Sequence, residues 1–274
     1  MSWVAAALKF VDPRPDVDPL TGEVHEDPRR EGASEADRAA LEWALRLGGR
    51  WGYDVLAVTA APAEAEGMLR EALAVGADRA LRVDLPRNAA SEAVAAALAD
   101  VTGDCAVVCC GDHSLDRGSG SVPAFLAQRL GAAQALGLVG LAAQEPGTLA
   151  AERRLDGGRR ERLRVPSPCV VSVESGTARP RRASLHAALA ARGAPVEVRG
   201  APRDTQRAPA GRTAAYRPRP RVLPAPHPHL HPRERAQALA GALAERTPPR
   251  VVAVPPDEAA DELLAFLRDQ GYLA

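Results

Sequence analysis

The chain has 274 residues, of which 46% are apolar and 26% are charged, and its 35 basic residues balance its 35 acidic residues. This composition is typical of a globular protein, and the balanced charge argues against nucleic acid or an anionic membrane as a partner. No apolar run approaches the ~20 residues of a membrane span, and the first residues carry no signal-peptide pattern, so we expect a cytoplasmic protein.

Strands and helices alternate along the first half of the sequence. Ser34, followed by Asp37 three residues later, is typical of the capping box that begins a helix. We predict buried strands over 4–11, 53–59, 79–83 and 105–110, and helices over 35–47, 63–75 and 88–101. This alternation predicts an α/β fold with a parallel, doubly wound, Rossmann-like sheet.

The pattern changes after Gly131. Asp156-Gly157-Gly158 predicts a hairpin turn, and the proline- and arginine-rich segment 199–231 predicts an extended arm. We expect further strands over 148–154, 161–165, 169–174 and 251–254, and helices over 184–191, 233–246 and 256–270. The chain therefore divides into an α/β domain, residues 1–199, and a region of arm and C-terminal helices, residues 200–274.

The four cysteines are interpreted as small buried residues. They lack the spacing of metal ligands, and the adjacent Cys109 and Cys110 should point to opposite faces of a strand. The other two are Cys105 and Cys169. We expect no disulfide and no metal at these positions.

Three alternating histidines, His227, His229 and His231, lie in the proline-rich segment. In an extended chain they would share one face, as in some metal sites. The intervening prolines favour polyproline II, which has about three residues per turn and would splay the histidines apart. We therefore expect no metal site here either.

Residues 111–122 lie beyond the carboxyl end of a predicted strand, where doubly wound sheets bind ligands. Three glycines and three serines in this segment offer backbone N–H groups and hydroxyls, which suit a phosphate. Lys9, the only lysine, lies at the end of the first predicted strand. His113 and Asp116 could instead perform acid–base catalysis, but no nucleophile accompanies them, which favours a structural or ligand-contact role.

A long, gapped motif resembles the signature of the beta subunit of electron transfer flavoproteins. It comprises Ala151-Glu152-Arg153-Arg154-Leu155-Asp156-Gly157-Gly158, followed by Glu161, Leu163, Pro168, Val170, Val171 and Ser172. Further matches follow the family's order, at Leu8-Lys9, 42–47, 72–79, Pro180-Arg181, 183–185 and 263–273. The resemblance covers nearly the whole chain apart from a longer proline-rich arm.

The resemblance implies a carrier and not an enzyme. Family members pair with a larger alpha subunit, which holds most of an FAD that shuttles electrons from dehydrogenases, and the beta subunit buries an AMP in a fold of the adenine-nucleotide-binding kind. The arm would wrap the alpha subunit. Two alternatives stay open: a flavin-bifurcating version, with a second FAD in place of AMP, and a stand-alone adenine-nucleotide-binding regulator.

The family's site residues map onto positions of this chain. The anchor that docks the dehydrogenase maps onto Leu185. The cofactor contacts map onto Ala7, Lys9, Ser34, Glu35, Ala36, Asp37, Ala60, Gly111, Asp112, His113, Ser114, Leu115, Asp116, Arg117, Gly118, Ser119, Gly120, Ser121 and Val122.

Two segments depart from the family's pattern. Ser34-Glu35-Ala36 replaces the usual Asn-Pro-Phe, so the aromatic ring that would approach the flavin is missing, and Asp116-Arg117-Gly118 replaces a triple aspartate. The altered loop resembles that of variants associated with the mycofactocin redox system in actinobacteria.

Overall fold

A nine-stranded sheet with helices on both faces dominates the structure, a computed structural model that describes residues 2–200, 225–240, 251–269 and 271–273. The chain divides into two compact units, Met1–Tyr216 and Arg217–Ala274, and each is described by itself. The predicted division at residue 200 adjoins residues outside the described part and stays a prediction.

The strands of the first unit are β1 (Trp3–Ala7), β2 (Phe10–Val11), β3 (Asp16–Val17), β4 (Val24–His25), β5 (Gly32–Ala33), β6 (Asp54–Ala61), β7 (Arg79–Asp84), β8 (Cys105–Gly111), β9 (Ala133–Ala143), β10 (Thr148–Arg154), β11 (Arg160–Pro166), β12 (Cys169–Val173) and β13 (Glu197–Arg199). Its helices are α1 (Glu35–Trp51), α2 (Glu66–Ala74), α3 (Ser91–Thr102), α4 (Ser121–Leu130) and α5 (Leu185–Ala191). The second unit contains α6 (Pro232–Leu239) and α7 (Pro256–Asp269).

The sheet confirms the predicted α/β class. Its strand order is β11-β10-β9-β12-β8-β1-β6-β7-β13, and every neighbouring pair is parallel except the two that involve β10. The predicted hairpin is also confirmed, because β10 and β11 pair antiparallel on either side of Gly157 and Gly158, which both take positive φ. Connections between parallel strands pass through α1, α2, α3 and α4, as the doubly wound arrangement requires.

The first predicted strand, 4–11, was too long. The strand ends at Ala7, although the N–H of Leu8 still donates to the carbonyl of Val58. Phe10 and Val11 then leave the sheet and pair antiparallel with Gly32 and Ala33 in a separate two-stranded ribbon. An apolar run cannot distinguish one strand from two short strands with different partners.

Two strands of the sheet were not predicted. β9 contains Gly137 and Gly140, and glycine inside an apolar run argues against a strand. Gly137 takes a φ of +66°, and the registers of β9 with both neighbours shift near it, so the glycine marks an irregularity that the strand tolerates. β13 has only three residues and takes Arg199, which the sequence had assigned to the arm.

The C-terminal predictions are partly corrected. Residues 251–254 form no strand: they have no strand partner within the described residues, and their three valines are exposed. α7 begins at the predicted residue and ends at Asp269, with residue 270 outside the described part. α6 spans Pro232–Leu239 and has Ala240 as its C-cap; residues 241–246 of the predicted helix and residues 201–224 of the arm lie outside the described residues.

Local sequence explains the bounds of α1. The Ser34 hydroxyl oxygen accepts from the N–H of Asp37, and the Asp37 carboxylate accepts from the N–H of Ser34, which confirms the predicted capping box. Gly52 ends the helix in the left-handed conformation, which glycine adopts without steric cost. The buried face of α1 consists largely of alanines and of Leu47, and it packs on the sheet.

An ion pair fixes α1 to the segment that follows β12. The Glu42 carboxylate is buried and accepts from Nε, Nη2 and the backbone N–H of Arg181, and from Nε of Arg46. Burial pushes the pKa of Glu42 upward, but these bonds outweigh it and hold the pKa below its ordinary value. Residue 42 and Pro180-Arg181 were separate matches to the family pattern, and the structure shows that they are two ends of one contact.

The cysteines are buried and unpaired, as expected. Cys109 belongs to the core on the α1 side of the sheet and Cys110 to the core on the α3 side, which confirms their opposite orientation. Burial raises the pKa of Cys105 and of Cys169 to about 12. Thiols that stay protonated are poor nucleophiles, so these residues fill the core.

Candidate functional site

A cavity lies at the carboxyl ends of β1, β6 and β8, at the edge of the sheet where the fold predicts a ligand. It holds about 860 Å³ of empty space, a figure that includes the solvent at its mouth. Alanines of β1 and β6 form its floor, and residues of α3 and of the 111–122 loop form its walls.

The 111–122 loop is closed by its own backbone. The N–H of Gly118 donates to the carbonyl of Ser114 (2.7 Å), and the N–H of Ser114 donates to the carbonyl of Ser119 (2.9 Å). A Cβ on Gly120 would lie against the carbonyl oxygen of Asp112, well inside contact distance. Gly120 is therefore required by the closure of the loop itself, a reason that the sequence did not reveal.

Asp37 joins three elements beneath the cavity. Its carboxylate accepts from the hydroxyl (2.7 Å) and N–H of Ser34, and from the backbone N–H groups of Lys9 and Gly111. Burial raises its pKa to about 6, against the opposing effect of these bonds. A Cβ on Gly111 would be 2.9 Å from Asp37 Oδ1, so only glycine allows β8 to approach α1 this closely.

Three cations line the cavity, and two of them have carboxylate partners. Lys9 Nζ lies 2.7 Å from Asp116 Oδ2, which connects the segment after β1 to the loop. Arg87 pairs with Glu31 (2.7 Å) and Glu26 (3.0 Å). The third cation, Arg117, has no ion pair within the described residues.

His113 and Asp116 do not form a catalytic pair. His113 Nδ1 lies 2.9 Å from Asp112 Oδ1, whereas the Asp116 carboxylate is engaged by Lys9. With separate partners, the two side chains lack the shared geometry of an acid–base pair.

The structure brings most of the predicted contacts to the cavity. The predicted residues that line it are Ala7, Lys9, Asp37, Ala60, Gly111, His113, Ser114, Arg117, Ser119, Gly120 and Val122. The predicted residues that do not line it are Ser34, Glu35, Ala36, Asp112, Leu115, Asp116, Gly118 and Ser121. Ser34 and Ala36 are buried at the start of α1, where Ser34 caps the helix.

Sequence reasoning missed the wall formed by the segment after β7. Arg87 and Pro86 come from this segment, Ser91 and Val94 come from α3, and Phe10 supplies the cavity's aromatic ring. The Arg87 guanidinium carbon lies 5.0 Å from the centroid of the Phe10 ring. The only available signal was an arginine just beyond a strand, and such arginines are common.

A second feature is the exposed face of α5. The side chains of Leu185 and Leu189, one helical turn apart, are 76% and 52% exposed. Arg179, Arg182 and Arg192 flank the helix without an ion pair in the described residues. Leu185 is therefore not packed beneath its own helix, and its predicted docking role stays a prediction.

The histidine segment differs from expectation. The rings of His227 and His229 lie 5.0 Å apart, so the prolines do not splay these two residues. His231 instead caps α6, where its ring accepts from the N–H of Arg233. The described residues hold no cluster of three or more side chains that could bind a metal.

The described part of the chain contains no helix with the length and apolarity needed to cross a membrane. In comparisons with known proteins, the family described as electron transfer flavoprotein domain matches residues 21–204.

Three curated relatives illustrate the likeness. The FixA proteins of Bradyrhizobium diazoefficiens and Rhizobium meliloti are 31% and 34% identical over 166 residues, which is 57% of this chain and 57% and 56% of theirs. The electron transfer flavoprotein subunit beta of Bacillus subtilis is 28% identical over 184 residues, 65% of this chain and 70% of that protein. The chain thus spans little more than half the length of the FixA proteins that it matches.

Proposed function

Because this chain belongs to the electron transfer flavoprotein family as a beta-type member, we propose that it is one half of a heterodimer with an alpha-type subunit and relays electrons from dehydrogenases. FAD, held mainly by the partner, would supply the redox chemistry. The observation that carries the proposal is the cavity at the carboxyl ends of the strands, walled by the 111–122 loop, in a chain of this family. There the chain would bind AMP as a structural ligand.

The residues of the cavity fit an adenine nucleotide. Its floor is apolar, with Ala7 and Ala60 suited to the face of a base. At the other wall, Gly120 is the N-cap of α4 and supplies no side-chain cap, so N–H groups at the start of the helix are available to a phosphate. Ser114 and Ser119 add hydroxyl groups to the same wall.

We propose a carrier and not an enzyme. His113 interacts with Asp112, and Asp116 pairs with Lys9. The four thiols are buried, so the described residues offer no activated nucleophile at the cavity. This chain would bind and orient its ligands and exclude water, and the flavin would supply the electron-transfer chemistry.

Two surfaces would serve protein partners. The leucines of α5, flanked by arginines, suit an apolar pocket with an acidic rim on the dehydrogenase. In the second unit, Leu263, Leu264 and Phe266 of α7 are exposed, and an alpha-type subunit would cover them. Residues 200–274 would thereby form the partner-contacting arm. The loop with Asp116-Arg117-Gly118 in place of a triple aspartate resembles that of mycofactocin-associated variants, and we propose that this chain is of that type.

Cofactor content tests this proposal. The chain purified alone should be colourless and should release about one AMP on denaturation, because FAD needs the partner. After co-expression with an alpha-type subunit, the heterodimer should carry one flavin. Tightly bound, stoichiometric FAD in the single chain would contradict the proposal, and two flavins per heterodimer would indicate the bifurcating version.

A substitution in the loop locates the nucleotide. Gly120→Val should open the loop, because the new side chain collides with the Asp112 carbonyl, and the chain should then lose its AMP. Gly176→Val is the matched control, since a Cβ there meets no atom within 4 Å. Full AMP content in the Gly120 variant would place the nucleotide elsewhere.

A further inference from the structure

We propose that Arg117 makes the cavity prefer a ligand that carries a phosphate over the same ligand without one. The inference rests on the proposed nucleotide site and adds a specificity-determining residue to it. Arg117 lies at the position where the resembling family has an aspartate, so its charge is of opposite sign to the one expected there. A cation at the cavity can bind an anion fully only where no carboxylate of the protein already neutralises it.

Lys9 is not free. Its ammonium group lies 2.7 Å from the Asp116 carboxylate, and both side chains are only about one-third exposed. Burial alone would raise the pKa of Asp116, but the hydrogen bond and charge of Lys9 outweigh it and lower the pKa. Asp116 is therefore ionised at neutral pH and neutralises the lysine.

Arg87 is not free either. Glu31, whose side chain is buried, lies 2.7 Å from Nη1, and Glu26 lies 3.0 Å from the same nitrogen. Two carboxylates on one guanidinium leave a locally negative environment, which repels a phosphate. The contact with the Phe10 ring immobilises the guanidinium further, so Arg87 is a fixed part of the wall.

Arg117 remains. Its Nη2 donates to the carbonyl of Arg87 at 3.5 Å, a long bond that keeps the side chain at the cavity wall and leaves most of its donors available. The neighbouring Asp116 interacts with it electrostatically, but that carboxylate is occupied by Lys9. A planar guanidinium with free N–H groups is suited to bidentate binding of a phosphate.

The test compares AMP with adenosine by calorimetric titration of the nucleotide-free 274-residue chain. Wild type should bind AMP more tightly than adenosine. Arg117→Gln should weaken AMP binding about tenfold, equivalent to ~1.4 kcal/mol, and leave adenosine binding within about twofold. Arg117→Lys should recover part of the loss because it keeps the charge.

Arg129→Gln is the matched control. Arg129 lies in the last turn of α4, is exposed and does not line the cavity, so its loss should leave the affinities for both ligands unchanged. Melting temperatures of all variants report whether the loop substitution has perturbed folding.

Each outcome has a separate meaning. If wild type binds neither ligand, the proposed nucleotide site fails and this inference with it. If wild type binds both ligands but Arg117→Gln leaves the ratio of the two affinities unchanged, only the inference fails. A ratio that changes in Arg87→Gln and not in Arg117→Gln would also overturn it and would transfer the role to Arg87.

Discussion

Helices α1 and α5 place their leucines in opposite environments. Leu47 of α1 is fully buried between its helix and the sheet, whereas Leu185 and Leu189 of α5 face solvent. The charged groups differ in the same way: Glu42 of α1 pairs with Arg46 and Arg181, but Arg179, Arg182 and Arg192, which flank α5, have no ion pair in the described residues. The leucine and the carboxylate of α1 therefore have their partners within this chain. The leucines of α5 and the arginines that flank it are available to contact another molecule.

The largest expected effect is that of shortening the buried leucine. Leu47→Ala should lower the free energy of unfolding by ~2–5 kcal/mol, because the close-packed core cannot fill the space that is lost. Urea denaturation measures the loss. Leu20→Ala is the control, since Leu20 is exposed and its loss should be nearly neutral. Equal losses in the two variants would contradict the burial of α1.

The second effect depends on pH and concerns Asp37. Because its pKa is about 6 in the folded chain and its ordinary value is 3.8, the folded state binds more protons between these pH values. The resulting stabilisation is complete below pH ~4 and is lost as the pH rises through 6; its size is on the order of 3 kcal/mol.

The measurement is the free energy of unfolding between pH 4 and pH 6.5 for wild type and Asp37→Asn. The variant cannot titrate at this position, so the difference between the two proteins should change with pH in the stated direction. The exposed Asp100, replaced by Asn, provides a control. Parallel curves for wild type and Asp37→Asn would show that Asp37 titrates normally.

The third effect concerns the ion pair of α1. Glu42→Gln should lower the free energy of unfolding by about 1–3 kcal/mol. Breaking a fully buried ion pair would cost more, because here Arg181 and Arg46 are partly exposed. The pKa of Glu42 lies below its ordinary 4.5, so this stabilisation is present at neutral pH and is lost on acidification. Glu71→Gln, which breaks an exposed pair with Arg38, should cost far less by the same urea assay. Similar costs would mean that burial of Glu42 adds nothing.

The smallest effect on stability is expected at the exposed leucine. Leu185→Ala should change the melting temperature by less than a few degrees, yet weaken electron transfer from the cognate dehydrogenase about tenfold, as the loss of an interface anchor does. Wild type and variant are compared at equal folded concentration. A clear fall in melting temperature with unchanged transfer per folded molecule would show that Leu185 contributes to folding stability and does not dock the dehydrogenase.

The sequence predicted the parallel sheet and the position of the cavity because both follow from local patterns. Apolar runs alternate with helical periodicity, and the glycines and serines of 111–122 follow a strand. The capping box of Ser34 and the hairpin at Gly157 were predictable for the same reason, since each involves residues close in sequence.

The remaining features depend on contacts between distant residues. β9 could not be predicted from local sequence because its glycines are atypical of a strand. Its partners, β10 and β12, also come later in the chain. The role of Arg87 depends on Glu26 and Glu31, more than fifty residues away, and no local pattern joins them. The sequence alone could not distinguish the two exposed leucines of α5 from core residues, because their exposure depends on how the helix lies relative to the sheet.

The position of β12 has a consequence for how the chain folds during synthesis. This fully buried strand lies between β8 and β9, yet it is synthesised after β9, β10 and β11. At about 5–20 residues per second, the ribosome leaves the edges of β8 and β9 without their shared neighbour for several seconds. Unpaired strand edges of this kind can pair with strands of other chains, which leads to aggregation. A nascent chain arrested just before residue 169 should therefore be the form most dependent on chaperones.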